Sequence, residues 1–273
     1  MIKCIVCDLD GTLFYGFGND IYDLSPESVK ALDMMKENGI QFAISSGRQY
    51  PVARKIMEKY VHEYVPSCNM TGSIIFDHDQ IVWKNFMDRK EIDAVYEVIK
   101  DLDYGYIECF REDGVCISEI KDLDFYRSIK DHESKDTLFG FKENIDRFSE
   151  LGKIMLVHKN AETCRHSLEV IRNGLEGIVD FTISTGRYLE VIKKGCDKKN
   201  IIDYLEEAYG YRNDEIAIVG DSENDMKMLK GVKYSYIMSH ACDELKRQCF
   251  KAVENVLEAV EDVLRINKES LQR

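Results

Sequence analysis

Asp8 and Asp10 stand two residues apart in IKCIVCDLDGT, residues 2–12. In extended chain, residues two apart point the same way, so this spacing predicts two carboxylates facing one spot. Like charges that close are costly unless a cation lies between them or one takes a proton. Taken alone, the tripeptide also suits a polar strand end followed by a turn. Three further groups bear on the choice: Ser46 in SSGR (45–48), Lys198 in GCDKKN (195–200), and Asp221 with Asn224 and Asp225 in GDSENDMKML (220–229). Singly these read as a turn, a solvated lysine and a helix cap. Their meeting at one edge of one sheet would be hard to assign to chance.

The elements that must position these groups follow from the apolar pattern. Ile2 to Cys7 form a short, nearly continuous apolar run ended by acids and Gly11, which reads as a strand buried on both faces. Ser25-Pro26 predicts a helix start, with Val29, Leu32 and Met35 inward and Asn38-Gly39 as the stop. IQFAIS (40–45) predicts a second buried strand leading into Ser46-Gly47-Arg48, and Pro51 opens another helix to about Tyr60. The alternation of strand and helix predicts an α/β fold, a Rossmann-like parallel sheet with helices on both faces. In such sheets ligands bind beyond the carboxyl ends of the strands, which is where the polar groups fall.

Near residue 72 the pattern changes to hairpins mixed with helices: 73–83 turning at Asp77-His78-Asp79, a helix over 88–102, YIECF and VCISE turning at 112–114, then helix, strand, helix and two strands to 193. We read an inserted α+β domain over 84–187, with a discontinuous core domain of 1–83 and 188–273. From Gly195 the earlier alternation resumes, with Asp197 as expected N-cap of a helix over 198–209 and EIAIV (215–219) as a buried strand ending at Gly220-Asp221.

Composition excludes several classes. The net charge of −13 over 273 residues argues against a nucleic-acid partner, since phosphate backbones need a basic surface. No apolar run approaches the roughly 20 residues of a membrane helix, and the N-terminus enters a strand with no signal-peptide pattern. Nine cysteines, an odd number set in apolar segments, predict reduced core thiols and a cytoplasmic location. Cys4-x-x-Cys7 sends its sulfurs to opposite faces of a strand, against a metal site, and the six histidines show no ligand spacing. No obligate protein partner is implied.

With DLDGT, SSGR, Lys198 and GDSENDMKML in this order, the chain resembles the haloacid dehalogenase-like hydrolase superfamily, and within it the Cof-type phosphatases, which carry a large α/β cap between the second and third motifs. The resemblance spans nearly the whole chain. It implies that Asp8 is a nucleophile forming an aspartyl-phosphate and that Asp10 is the general acid and base. It also implies Mg²⁺ held by Asp8, the main-chain carbonyl of Asp10, and Asp221. Phosphate contacts would come from Leu9, Gly11, Ser46, Gly47, Lys198 and Asn224, with Asp225 orienting Lys198. The residue types suit this chemistry, because a carboxylate attacking a phosphate dianion needs positive charge nearby. The implied partner is a small phosphorylated substrate under a closing cap, with no nucleic acid and no membrane. Tyr104, Tyr106 and Arg111 are cap residues placed to touch it or to build the cap.

A phosphomutase of the same superfamily and a non-catalytic phosphoryl- or metal-binding module are the alternatives. Departures from the family pattern lie outside the four motifs. Thr71 stands in the usual Asn place with Asn69 nearby, Lys199 replaces a small residue, and Ser239-His240 replaces Gly-Asn. The loop 15–22 is longer than typical, and Tyr15 or Phe17 is placed to line an entrance.

Overall fold

A computed structural model describes residues 1–14, 23–114, 116–129, 138–139, 149–184 and 186–272. Tyr15 and Phe17 lie outside the described residues. The chain divides into two units, Met1–Trp83 with Asp197–Arg273, and Lys84–Cys196.

The first unit begins with β1 (Cys4–Cys7), whose four residues are all buried, as a run without polar alternation requires. Helix α1 (Pro26–Glu37) starts where expected: Ser25 accepts a hydrogen bond from the Ser28 N–H and Pro26 fills the first turn. β2 (Gln41–Ser45), α2 (Tyr50–Ile56) with a π-helical turn over Met57–Val61, and β3 (Ser67–Asn69) follow. β4 (Ile74–Asp77) and β5 (Gln80–Lys84) form the expected hairpin. Its turn residues His78 and Asp79 both have positive φ, 47° and 61°, the backbone that two-residue hairpins favour.

The second unit holds β6 (Met87–Asp88), α3 (Arg89–Ile99), β7 (Tyr106–Phe110), β8 (Cys116–Ile120), α4 (Leu123–Ile129), β9 (Leu138–Phe139), β10 (Glu150–Leu151), β11 (Lys153–Val157), α5 (Ala161–Leu175), β12 (Val179–Ser184) and β13 (Tyr188–Lys193). Six strands pair in the order β12-β13-β11-β7-β8-β9. One face of this sheet packs on the two amphipathic helices: Ile107, Ile154, Leu156 and Val191 share a core with Ile92, Val95 and Ile99 of α3 and Cys164 and Ile171 of α5. Asp88 and Glu91 close a reciprocal capping box on α3. The expected return to the core at 188 is corrected here. β13 pairs along its length with both β11 and β12, so hydrogen bonding keeps 188–193 in the second unit and the return falls at Asp197. Tyr104 and Tyr106 are interior residues of this unit, Tyr104 donating to Glu119 at 3.0 Å and Tyr106 stacking edge-on against Tyr126, while Arg111 pairs with Asp113.

Back in the first unit come α6 (Asn200–Tyr209), β14 (Ile216–Gly220), a 3₁₀ turn over Glu223–Asp225, α7 (Met226–Leu229), β15 (Tyr234–Met238), α8 (Asp243–Lys246), β16 (Lys251–Val253) and α9 (Val256–Leu271). The sheet order is β16-β15-β14-β1-β2-β3-β4-β5. Every pair from β16 to β3 is parallel, so those strands end on one edge. Cys4 and Val6 join a core with Ile201, Ile202 and Leu205 of α6. Helices α1 and α9 touch each other and strands β2 and β14, and so cover the opposite face. From β1 the chain proceeds outward through β2 and β3, then returns to β14 on the other side of β1 and proceeds outward through β15 and β16. The reversal lies between β1 and β14, the position where doubly wound sheets open a crevice for ligands.

Candidate active site

Asp8 follows the last residue of β1, and Asp221 the last residue of β14, on either side of that reversal. Ser46 follows β2 in the same way. Lys198 enters from the turn before α6 and is buried with its charge: its Nζ donates to Asp8 Oδ1 at 2.6 Å, Asp225 Oδ1 at 2.7 Å and Asn224 Oδ1 at 3.3 Å. Asp225 is itself fully buried, and its second oxygen accepts the Asp221 and Ser222 N–H groups at 2.9 and 3.1 Å. One carboxylate thus ties the lysine to the β14 turn. The close packing at that turn also requires Gly220, where a Cβ would sit 2.8 Å from the Asp225 side chain.

The approach of Lys198 depends on main-chain contacts that no spacing rule reveals. The Ser45 hydroxyl donates to the Lys198 carbonyl at 3.1 Å. Gly72, at φ +95°, presses so near Asp197 that a Cβ would lie 2.1 Å from its carbonyl oxygen. Thr71, buried and also at positive φ, donates its N–H to the Ser46 carbonyl at 3.1 Å, and Asn69 is buried with its amide on the Arg48 carbonyl at 3.3 Å. Asp197 does not cap α6 as expected. Its carboxylate receives the Lys199 N–H at 2.8 Å one turn earlier, and the helix begins at Asn200. The Lys199 side chain turns to Asp203 along the exposed helix face.

The expected convergence of Asp8 and Asp10 is also corrected. The strand ends at Cys7 and a turn begins at once, so the two-residue period no longer applies. Asp8 is buried against Lys198, while Asp10 is half exposed and gripped by both arms of the Arg48 guanidinium, Nε donating to Oδ2 at 2.6 Å. Arg48, the last residue of SSGR, carries no local sign of this pairing, because Asp10 lies 38 residues away in the chain. Ser46 is buried, with its Oγ accepting the Arg48 N–H at 3.1 Å.

Charge balance is the central property of this site. Among the described residues, oxygens of Asp8, Asp221 and Asp225 lie within 4.8 Å of one another, around a single ammonium. Burial, then the neighbouring Asp225 and Asp221, push the Asp8 carboxyl well up against the pull of Lys198. Asp221 is likewise raised, by burial first and Asp225 second. Burial alone would lower Lys198, but Asp225 and Asp8 outweigh it and keep the ammonium charged. Asp225 is already satisfied by Lys198 and two amides, which leaves Asp8 and Asp221 as the carboxylates with room for a cation. Hard oxygen donors short of positive charge fit a divalent metal ion.

Gly11 brings the β1 turn onto Asp221: at φ +84° its missing Cβ would lie 2.4 Å from Asp221 Oδ2. The Thr12 hydroxyl reaches Asp221 Oδ1 at 3.5 Å. No helix among the described residues is long and apolar enough to cross a membrane, and the buried cysteines, Cys4 and Cys7 among them, are free thiols.

Fold and site together define a doubly wound α/β protein with a carboxylate–ammonium centre at its switch point. Residues 5–263 match the family described as haloacid dehalogenase-like hydrolase, and the chain belongs to that family. It is 23% identical over 270 residues to the 5-amino-6-(5-phospho-D-ribitylamino)uracil phosphatase YwtE of Bacillus subtilis, covering 90% of this chain and 91% of that one. Among solved structures, SMU.1108c from Streptococcus mutans superposes with a TM-score of 0.81 at 20% identity, over 97% of this chain and 100% of that chain. The sugar phosphatase BT4131, described as HAD subclass IIB, superposes at 0.78 with 16% identity, over 97% and 99%. These superpositions show the fold.

Proposed function

We propose that this chain hydrolyses phosphomonoesters of small metabolites, a sugar phosphate or a phosphorylated cofactor, with Mg²⁺ as cofactor and Asp8 as the attacking carboxylate. The observation that carries the reading is the buried Lys198 ammonium 2.6 Å from Asp8 at the sheet's switch point. A carboxylate approaching a phosphate dianion is repelled, and an ammonium fixed beside it offsets that repulsion where solvent screens little. Relatives named for phosphatase activity on small molecules support the substrate class.

In this reading Asp8 forms an O–P bond as the ester O–P bond breaks, and the electron pair leaves on the alkoxide. Lys198 and Asn224, the Ser46 hydroxyl, and the Leu9, Gly11 and Gly47 backbone cradle the phosphoryl oxygens. Asp10 protonates the alkoxide, then takes a proton from the water that opens the aspartyl-phosphate, a transfer worth roughly 10²–10⁴-fold. For that work Asp10 must leave Arg48. The pair is two-pronged and Arg48 is largely covered, so breaking it costs more than the about 0–1 kcal/mol of an ordinary surface pair. The carboxylates of Asp8 and Asp221 and the main-chain carbonyl of Asp10 would hold Mg²⁺, which when bound supplies further positive charge against the phosphate. Asp225 acts through Lys198, holding the ammonium in place.

Phosphate release from a panel of phosphorylated metabolites tests the reading, with Mg²⁺, with EDTA, and with Asp8→Asn. Release that needs the metal and vanishes in the variant is expected. Undiminished release by Asp8→Asn would remove Asp8 from its role. Scant release stimulated by a bisphosphate would assign a phosphomutase instead.

A further inference from the structure

Beyond the residues already placed at the site, Asp221 has a third neighbour. His240 Nε2 lies 3.5 Å from Asp221 Oδ2, with the ring about two-thirds buried. The contact follows from strand order. β15 lies beside β14, with Ile237 in register with Gly220, so Asp221 comes level with Met238 at the end of β15, and His240 follows two residues on, in the turn past that strand. Asp221 is therefore held from the β1 side by Gly11 and Thr12 and from the β15 side by His240.

The turn carrying His240 is anchored at several points. The Ala241 N–H returns to the Met238 carbonyl at 3.0 Å, and the Ser239 N–H reaches the Val253 carbonyl at 2.8 Å. The Ser239 hydroxyl donates to Glu254 at 2.8 Å, and Lys246 Nζ donates to the Ser239 carbonyl at 3.0 Å. A ring on so fixed a turn can hold its neighbour in one orientation. His240 is not one of the three acids whose oxygens gather within 4.8 Å, so it meets Asp221 from outside that group.

We propose that His240 is a positioning residue for the divalent ion: by holding the Asp221 carboxylate it sets how tightly this chain binds its metal. The proposal rests on the metal reading given above. Carboxylate ligands turn freely unless a partner fixes them, and loss of such a partner typically weakens metal affinity by about 10- to 100-fold. The imidazole Nε2, facing Asp221 Oδ2, is placed to supply that partner.

Calorimetric titration of the metal-stripped full chain with Mn²⁺, and separately with Mg²⁺, tests this in the wild type, His240→Ala, His240→Gln and Asp221→Asn. His240→Ala should bind about 10- to 100-fold more weakly. His240→Gln should regain most of that loss, because the glutamine Nε2 reaches about as far from the backbone as the imidazole Nε2. The unfolding midpoint of the metal-free chain is measured alongside. Wild-type affinity in His240→Ala, a glutamine no better than alanine, or affinity losses that simply follow lowered midpoints would each overturn the proposal. Asp221→Asn separates the two readings. If it binds as the wild type does, or if the wild type binds no ion, the metal reading falls and this proposal with it. If only Asp221→Asn is impaired, His240 alone is relieved of its role.

Discussion

Replacing Lys198 by Met keeps nearly the same volume and removes the ammonium with its N–H donors, so it tests the polar part of the site. The ammonium is 2% exposed and is shared by Asp8 at 2.6 Å and Asp225 at 2.7 Å. Removing one partner from a buried ion pair typically costs about 3–5 kcal/mol, because the remaining charge keeps its desolvation penalty. At about 2–4 °C per kcal/mol for a chain of this size, the metal-free midpoint should fall by roughly 6–20 °C. The loss has a definite pH dependence. Asp8 already stands above its ordinary value, and without Lys198 it rises further. The folded state then binds protons that the unfolded state releases, so stability falls as pH rises through the raised range, and the deficit of Lys198→Met should shrink in acid. Mg²⁺ should restore part of the midpoint by supplying another cation. In turnover, losing a fixed donor on the phosphoryl oxygens should lower kcat by about 10²–10³-fold. Differential scanning fluorimetry across pH with and without Mg²⁺, paired with phosphate release at saturating substrate, measures both effects. An unchanged midpoint at neutral pH, or a deficit that deepens in acid, would refute the electrostatic account. Wild-type kcat would refute the assigned role.

Three further outcomes follow from the same geometry. In the wild type without metal, Asp8 and Asp221 are both raised, so stability should decline as pH rises from their ordinary carboxyl values through the raised range. Metal binding must displace those protons, so titrations at falling pH should show weakening Mg²⁺ affinity and growing proton release. Gly11→Ala should cost about 1–3 kcal/mol through its positive φ. Its Cβ also falls 2.4 Å from Asp221 Oδ2, so calorimetry should show weaker Mg²⁺ binding as well as a lower midpoint. An alanine variant with wild-type affinity would show that Asp221 yields without consequence.

The parallel core was legible because strands buried on both faces must be apolar throughout, and their ends must then be marked by the first polar residues. Ile2 to Cys7, IQFAIS and EIAIV carried that signal, and it led directly to Asp8, Ser46 and Asp221. The first helix start was legible for a local reason as well: Ser25 accepts the Ser28 N–H three residues on, and Pro26 needs no N–H partner. What stayed hidden depends on partners far away in the chain. β13 has the pattern of a strand in either unit, and only its pairing with β11 and β12 decides where it belongs. Asp8 and Asp10 have the spacing of a convergent pair, yet a strand that ends at Cys7 parts them, and Arg48 takes the outer one.

Residue types and local periodicity thus determined which groups arrive at the carboxyl edge of the sheet. Tertiary structure alone decided which of them meet: Lys198 with Asp8 across 190 residues of chain, Ser45 with the Lys198 backbone, and His240 with Asp221 through the order of two neighbouring strands. The division has a physical origin. Burial pattern and capping are satisfied within a few residues, whereas the charge balance of a buried site is set by through-space distances that no short stretch of sequence contains.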